Sequence, residues 1–520
     1  MREDVCTVLD DESNVNLIDP SVDKSIGITD VNDNDQSSLT ISIDDAIDRL
    51  GYGPFQRTIC VAAGLCFASD AMEVLLLSFL SIALQMEWGL SKQQTAFLTS
   101  VVFLGALVGT LTLGYCGDRV GRRPVFLVSA VLLSVFGIAT ALCQNFYSIC
   151  IIRMVVGFGV GGLTVPFDIL AEILPVQHRG TNLLFIEYFW TAGTLCVPFF
   201  AYLTLGNANL SDDGIGLWRY FVVLCAVPCI LSAIFGAYLV PESPRWLLSC
   251  GQDAKALQIL RNAAVLNGLD PLQVFPVGTK LILDEENEVS SHNSSCHLIS
   301  ELFSPLWRST IIRIWITWGC FAFLYYSTIL ATAVVFSNDE KVSSVSKSNK
   351  IDIDYEALII SCSAEFFGTT FAILLIDRLG RIGLQNISLI LGTAFAVTML
   401  IVFNFNSSLV SLPNDQDSRR FFLIALSFLA RWFMMSLTST CWVATAEILP
   451  TEIRTTGHST ANAVARIGGF VAPYVVASNP SVIMYFMVVS AVLAIFALNG
   501  LPETKGSVIG QHLPHERISS

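Results

Sequence analysis

Charge is scarce in this sequence: Asp, Glu, Lys and Arg make up 14% of its 520 residues, against about 25% in soluble chains. A soluble domain with so little charge could not cover its core, and disordered or fibrous chains need other compositions. Histidine is also scarce, with six copies and no spacing that would hold a metal. No metal or other cofactor is expected. Basic patches are missing, which argues against nucleic acid. No nucleophile–base arrangement stands out, so an enzyme is not expected. The acidic start lacks the positive and apolar regions of a signal peptide. The first hydrophobic span is therefore expected to act as its own insertion signal.

What is present is apolar, with 53% hydrophobic residues. A helix needs about 20 mostly apolar residues to cross a bilayer. Such runs lie near 57–84, 94–115, 124–143, 147–170, 182–205 and 218–240, then near 309–336, 356–376, 384–404, 421–445, 458–478 and 481–500. The pattern predicts an all-α membrane protein of twelve transmembrane helices in two six-helix bundles, at 53–240 and 308–505. Residues 1–52 read as an acidic disordered tail with a short amphipathic lead-in, 241–307 as a cytosolic central loop, and 506–520 as a cytosolic tail. The first forty residues hold ten acids and two bases, so −8 of the net −14 sits in that tail and says little about a substrate.

Most of the 14 cysteines lie inside apolar spans and read as small buried hydrophobes. Cys143 and Cys150 flank one short loop, where a bridge remains open. Arginines at the short loops set the orientation. Arg119, Arg122, Arg123, Arg179, Arg378, Arg381 and Arg454 follow even-numbered spans. Lys92, Arg219, Arg419 and Arg420 follow odd-numbered ones. The bias places both termini and the central segment in the cytosol. The 337–354 loop runs against it with Lys341, Lys347 and Lys350, although four acids accompany them. Asn209 and Asn406 then head outer-side sequons, either glycosylation sites or chance matches.

The two halves repeat. Gly117-Asp118-Arg119-Val120-Gly121-Arg122 returns as Asp377-Arg378-Leu379-Gly380-Arg381, and Ala171-Glu172-Ile173-Leu174-Pro175 returns as Ala446-Glu447-Ile448-Leu449-Pro450. Gly114, Asp118, Arg119, Gly121, Arg122 and Arg123 form a turn rich in glycine and charge. It suits a conformational latch, or a positive-inside anchor. Glu172, Arg179, Glu447 and Arg454 belong to the repeated elements beside it. Gly157-Phe158-Gly159-Val160-Gly161-Gly162 fits a dinucleotide fingerprint in letters alone. It lies inside an apolar span, where small residues serve close helix packing.

The Gly114–Arg123 pattern resembles the signature of the major facilitator superfamily, and Arg153 with Gly157, Gly159, Gly161 and Gly162 resembles that superfamily's fourth-helix motif. Pro241-Glu242-Ser243-Pro244-Arg245-Trp246 and Pro502-Glu503-Thr504-Lys505-Gly506 resemble the motifs closing helices six and twelve of sugar and organic-ion porters. Ile43-Asp44-Asp45-Ala46, Gly51-Tyr52-Gly53-Pro54-Phe55-Gln56, Asp70-Ala71-Met72-Glu73, Glu187-Tyr188-Phe189-Trp190 and Tyr325-Tyr326-Ser327 narrow the likeness. They are similar to the synaptic vesicle two-related branch, which includes nicotinate-type porters. Ser327 stands where that branch usually has Gly. The stretch from Trp315 to Phe336 has no Gln, unlike sugar porters.

Charged groups at membrane depth are costly, at least about 2.5–3.5 kcal/mol each on insertion scales. Asp70, Glu73, Asp168, Glu187 and Glu365 are the acids, and Arg153, Arg431 and Arg466 the bases. Two readings stand: structural pairs that hold helices together, or groups that bind substrate or protons. Asp70 and Glu73 share one helix face. Trp190, Tyr325 and Tyr326 either line a pocket or face lipid. The expected function is secondary active, proton-coupled transport of a small organic solute, such as an organic ion or nicotinate-like acid. A monomer would rock its halves about a midplane site. A symporter is the expected form. A facilitative uniporter, sugar-type included, and a non-transporting receptor or scaffold remain as alternatives. The plasma membrane and an endomembrane vesicle both fit.

Overall fold

The computed structural model describes residues 39–175, 183–206, 216–282, 302–337, 353–404, 416–449 and 451–505. The acidic tail, the C-terminal tail, both sequons, most of the 337–354 loop and Arg179 lie outside the described residues, as does the Arg454 side chain.

Strand β1 (Thr40–Ser42) leads into helix α1 (Ile43–Leu50), whose first turn is capped by the Ser42 hydroxyl. Long helices follow: α2 (Pro54–Trp88), α3 (Lys92–Val120), α4 (Arg122–Thr140) and α5 (Phe146–Gly161), which continues through a 3-10 turn into α6 (Val165–Ile173). Helices α7 (Ile186–Thr204) and α8 (Leu217–Leu239) complete the first half. The central segment carries α9 (Pro244–Ser249), α10 (Asp253–Leu266), α11 (Pro271–Val274) and strand β2 (Lys280–Ile282). The second half holds α12 (Arg308–Val335), α13 (Tyr355–Leu379), α14 (Arg381–Asn404), α15 (Gln416–Ile448), α16 (Thr451–Val476) and α17 (Pro480–Leu498). With α5 and α6 taken as one, ten of these helices are long and apolar enough to cross a membrane. Helices α7 and α16 fall outside that ten. Helix α16 carries Glu452, Arg454 and Arg466 along its length.

Helices outrun the apolar runs that announced them. The run at 94–115 belongs to a helix spanning Lys92–Val120. Hydropathy marks only the part that meets lipid, whereas a helix continues until its ends are capped. Ser91 and Gln94 form a capping box at one end of α3, and Gly121 stops the other with φ 113°.

Within the central segment, the described residues 241–282 carry helices and a strand. Helix α10 buries Ala256, Leu260, Ala263 and Ala264, and α1 buries Ile43, Ala46, Ile47 and Leu50; the two pack together. Strands β1 and β2 pair in parallel, with Ile41 opposite Leu281. Asn267 ties the assembly to α2. Its Oδ1 accepts from Phe55 N at 3.0 Å, and its Nδ2 donates to Leu50 O at 3.2 Å and Gln56 Oε1 at 3.0 Å. Arg245 pairs with Asp44. The lead-in and the central segment therefore form one cap on the first half.

Close packing of α3 on α5 explains the fingerprint-like glycines. A Cβ on Gly157 would stand 2.0 Å from Val102 O, and one on Gly161 2.3 Å from Thr110 N. Two seams join the halves, α3 against α16 and α7 against α13. Cys143 and Cys150 are free thiols, so the loop they flank is not bridged by them.

Asn267→Ala removes three hydrogen bonds at the cap and should loosen it by about 1–3 kcal/mol. Limited proteolysis should then cut within 241–282 faster than in the parent, with the bundles intact. Unchanged cleavage would mean that Asn267 does not hold the cap.

Candidate functional site

A cavity of about 60 Å³ lies between the halves, lined by Asp70, Glu187 and Trp190 from the first and by Trp318, Tyr325, Tyr326, Trp442, Asn462 and Arg466 from the second. At about 10–15 Å³ per water it holds only a handful of waters. A larger solute requires further opening. Trp190 Nε1 donates to Tyr325 Oη at 2.7 Å, which fixes two of the aromatic walls.

Contacts across the halves narrow both ends of the cavity. Toward the distal face, where α2 ends and α3 begins, Ser100 Oγ donates to Phe470 O at 2.8 Å. There the Phe103 and Tyr326 rings lie 4.7 Å apart. Toward the proximal face, where α2 begins, Phe167 meets Trp442 at 5.4 Å and His458 at 6.4 Å. Phe167 and Trp442 each precede the repeated Ala-Glu-Ile-Leu-Pro by four residues. The repeat thus carried a signal for this contact that motif reading passed over. Nothing comparable pointed to Trp318 or Asn462.

The expected acids separate into different roles. Asp70 Oδ2 accepts from Arg466 at 3.4 Å, while its Oδ1 has no partner. Asp70 is on α2 and Arg466 on α16, so this pair spans the halves. Among ion pairs between described residues it alone does so. Glu73 does not reach the cavity wall despite sharing a face with Asp70. It pairs with Arg153 inside the first half, where Arg153 is 0% exposed. Glu365 also sits behind the wall. It accepts from Arg431 at 2.5 Å, Thr194 at 2.8 Å and Tyr325 Oη at 3.2 Å. Glu187 lines the cavity, and its carboxylate has no hydrogen-bond or ion-pair partner among the described residues. Asp168 is half-buried on α6 and does not line the cavity.

On the proximal face the expected switch cluster forms two matching networks, each within one half. A Cβ on Gly121 would stand 2.5 Å from Glu242 Oε2, and its φ of 113° also favours glycine. Glu242 caps α4, accepting from Arg122 N at 2.9 Å and Arg123 N at 3.2 Å. Burial pushes the Glu242 carboxyl up, against the pull of those backbone donors. Arg122 pairs with Glu172 and lies 3.8 Å from Asp118, and Ser243 Oγ donates to Glu172. In the second half Gly380 has φ 79°, and Glu503 accepts from Arg381 N at 2.8 Å and Ile382 N at 2.9 Å. Arg381 forks onto Glu447 at 2.7 and 2.9 Å and reaches Asp377 at 2.9 Å. Thr504 Oγ1 donates to Glu447 at 2.6 Å, and Lys505 Nζ to Arg378 O at 2.8 Å. Arg123 donates to Ala237 O at 2.7 Å, and Arg119 stacks on Tyr115. Gly114 has open space where a Cβ would stand, so close approach is the work of Gly121 instead.

A model of the sugar (and other) transporter family matches residues 51–511. The synaptic vesicle 2-related protein of Xenopus laevis is 32% identical over 488 residues, covering 90% of this chain and 82% of that protein. Organic cation/carnitine transporter 7 of Arabidopsis thaliana is 29% identical over 463 residues, covering 84% of this chain and 87% of that protein. A partially occluded inward open structure of the xylose transporter XylE from E. coli matches with TM-score 0.66 at 22% identity, over 87% of this chain and 99% of that one. That likeness shows the major facilitator fold.

Arg431→Leu would leave Glu365 as an uncompensated buried charge, at a cost of about 3–5 kcal/mol. Thermal unfolding in detergent should drop sharply. The double variant Glu365→Leu/Arg431→Leu should recover most of the loss. A double variant no more stable than the single one would show that the two charges are not energetically paired.

Proposed function

The chain belongs to the sugar (and other) transporter family of the major facilitator superfamily, and we propose that it is a proton-coupled secondary active transporter of a small organic ion. One observation carries this reading: a cavity at the seam of two halves, with charged and aromatic side chains from both. A rigid scaffold or receptor has no need of a charged chamber between two movable bodies. The family is one of transporters, and enzymatic chemistry is not the reading it supports.

The mechanism follows from where each group sits. The paired networks of Arg122 and Arg381 brace the proximal face within each half, so each half moves as one body. Asp70 and Arg466 link those bodies across the cavity. Solute entering beside this pair competes for one of its charges and loosens the link. Protons reach the acids of the wall from whichever side is open, and their charge state then depends on that side. One chain supplies both walls of the cavity, so a monomer holds a complete path. Orientation follows the arginine bias, with the proximal face cytosolic. The membrane is the plasma membrane or that of an internal vesicle.

Purified protein in liposomes should concentrate an organic ion when a pH gradient is imposed. Asp70→Asn keeps the size of the side chain and removes its charge. Concentrative uptake should fall at least about tenfold, while exchange of solute across the membrane survives. Uptake that ignores the gradient would point to a facilitative uniporter. Full concentrative uptake by the Asn variant across the pH range would remove Asp70 from the mechanism.

A further inference from the structure

Buried arginines and buried carboxylates on the long helices do not balance. Arg153, Arg431 and Arg466 are all buried, and each has one acidic partner: Glu73, Glu365 and Asp70 in turn. Glu187 is left over. It is 6% exposed, it lines the cavity, and no described residue donates to its carboxylate or pairs with it. The charged side chains of the wall are Asp70, Glu187 and Arg466. With all three ionised the chamber carries a net charge of one negative, localised at Glu187.

The groups on neighbouring elements do not relieve it. Helix α2 presents Asp70 and Glu73, each already paired. Glu365 on α13 acts on Glu187 as a like charge, and Arg431 on α15 is taken up by Glu365. Arg466 on α16 is engaged by Asp70. Tyr325 and Tyr326 on α12 are neutral phenols. Helix α7 itself starts at Ile186, so its N-terminal dipole offers Glu187 a fraction of a positive charge and not a whole one. A carboxylate facing so small a chamber, with no donor and room for only a few waters, favours binding a proton or a cation.

We infer that Glu187 binds a proton in the empty chamber and exchanges it for a monovalent organic cation, which makes the protein a proton–cation exchanger. This rests on the transporter reading above and narrows it. Trp190, Trp318, Tyr325 and Tyr326 give the cation aromatic faces beside the carboxylate. An organic anion would meet a wall of net negative charge whose one arginine is occupied. A neutral solute would leave the Glu187 proton in place and uncoupled. The cycle balances: the cation pairs with the Glu187 carboxylate as the acid proton leaves to water, and on the other side a proton returns as the cation departs. One positive charge moves each way, so the exchange is electroneutral. The coupling proposed here is exchange rather than symport.

The test uses purified full-length protein in liposomes with an acidic lumen. The probes are tetraethylammonium and choline, with nicotinate and xylose in parallel. A cation should accumulate, the accumulation should vanish when the pH gradient is dissipated, and an imposed membrane potential should not change it. Glu187→Gln should lose concentrative uptake, and its binding of that cation should weaken at least tenfold and no longer vary with pH. The parent protein gives a second readout that needs no variant: in weakly buffered detergent solution the cation should release about one proton per protein. Uptake of nicotinate or xylose without either cation would overturn this inference and leave the transporter reading standing. So would pH-driven cation uptake by Glu187→Gln, or binding without proton release. No transport of any of the four probes would count against the transporter reading itself, and this inference would fall with it.

Discussion

A charge inside a bilayer needs a counter-charge, a proton or water, and the interior of this protein is organised around that need. Two of the three buried pairs, Glu73–Arg153 and Glu365–Arg431, close within a single half. Each fastens helices that then have no reason to part. The third, Asp70–Arg466, is longer and crosses from one half to the other. A pair of this kind can be exchanged for interactions with solute or water when the halves separate. In the transporter reading, this is the ion pair that opens when the halves part.

Rigidity elsewhere complements that mobility. Glu242 and Glu503 each cap a helix start, at Arg122 and Arg381, and each stands against a glycine of positive φ. Glu172 and Glu447 then lock the arginine side chains. The repetition of this brace in the two halves means that both resist internal shear on the same face. The cap built from the lead-in and α10 stiffens the first half further. Contacts between the halves toward the two faces include aromatic pairs and a single hydrogen bond, and in the transporter reading motion concentrates there.

Much of this was readable from residues alone, because a bilayer imposes strong rules on sequence. The apolar runs marked the helices, the repeated Asp-Arg and Ala-Glu-Ile-Leu-Pro stretches marked the halves, and the intramembrane charges marked the interior. Partner choice was not readable. Asp70 and Glu73 share a helix face three residues apart, yet one turns to the cavity and the other to Arg153. That outcome depends on how α2 is rotated against α5 and α16, which no local pattern records. Glu187 could not be separated from Glu365 for the same reason: only the fold shows which acid has an arginine beside it. The packing of α10 on α1 was not readable either, because the two are more than 200 residues apart in the chain.

Alternating exposure of the cavity is the central claim, and distances across both faces at once test it most directly. Spin labels at Gln93 and Ser478 would span the distal face, and labels at Val120 and Leu379 the proximal one, in a variant whose native cysteines have been replaced. Solute or a pH step should lengthen one distance as it shortens the other, in a single population that interconverts between two states. Distances that stay fixed, or that rise and fall together, would contradict alternating access and favour a scaffold or a simple pore.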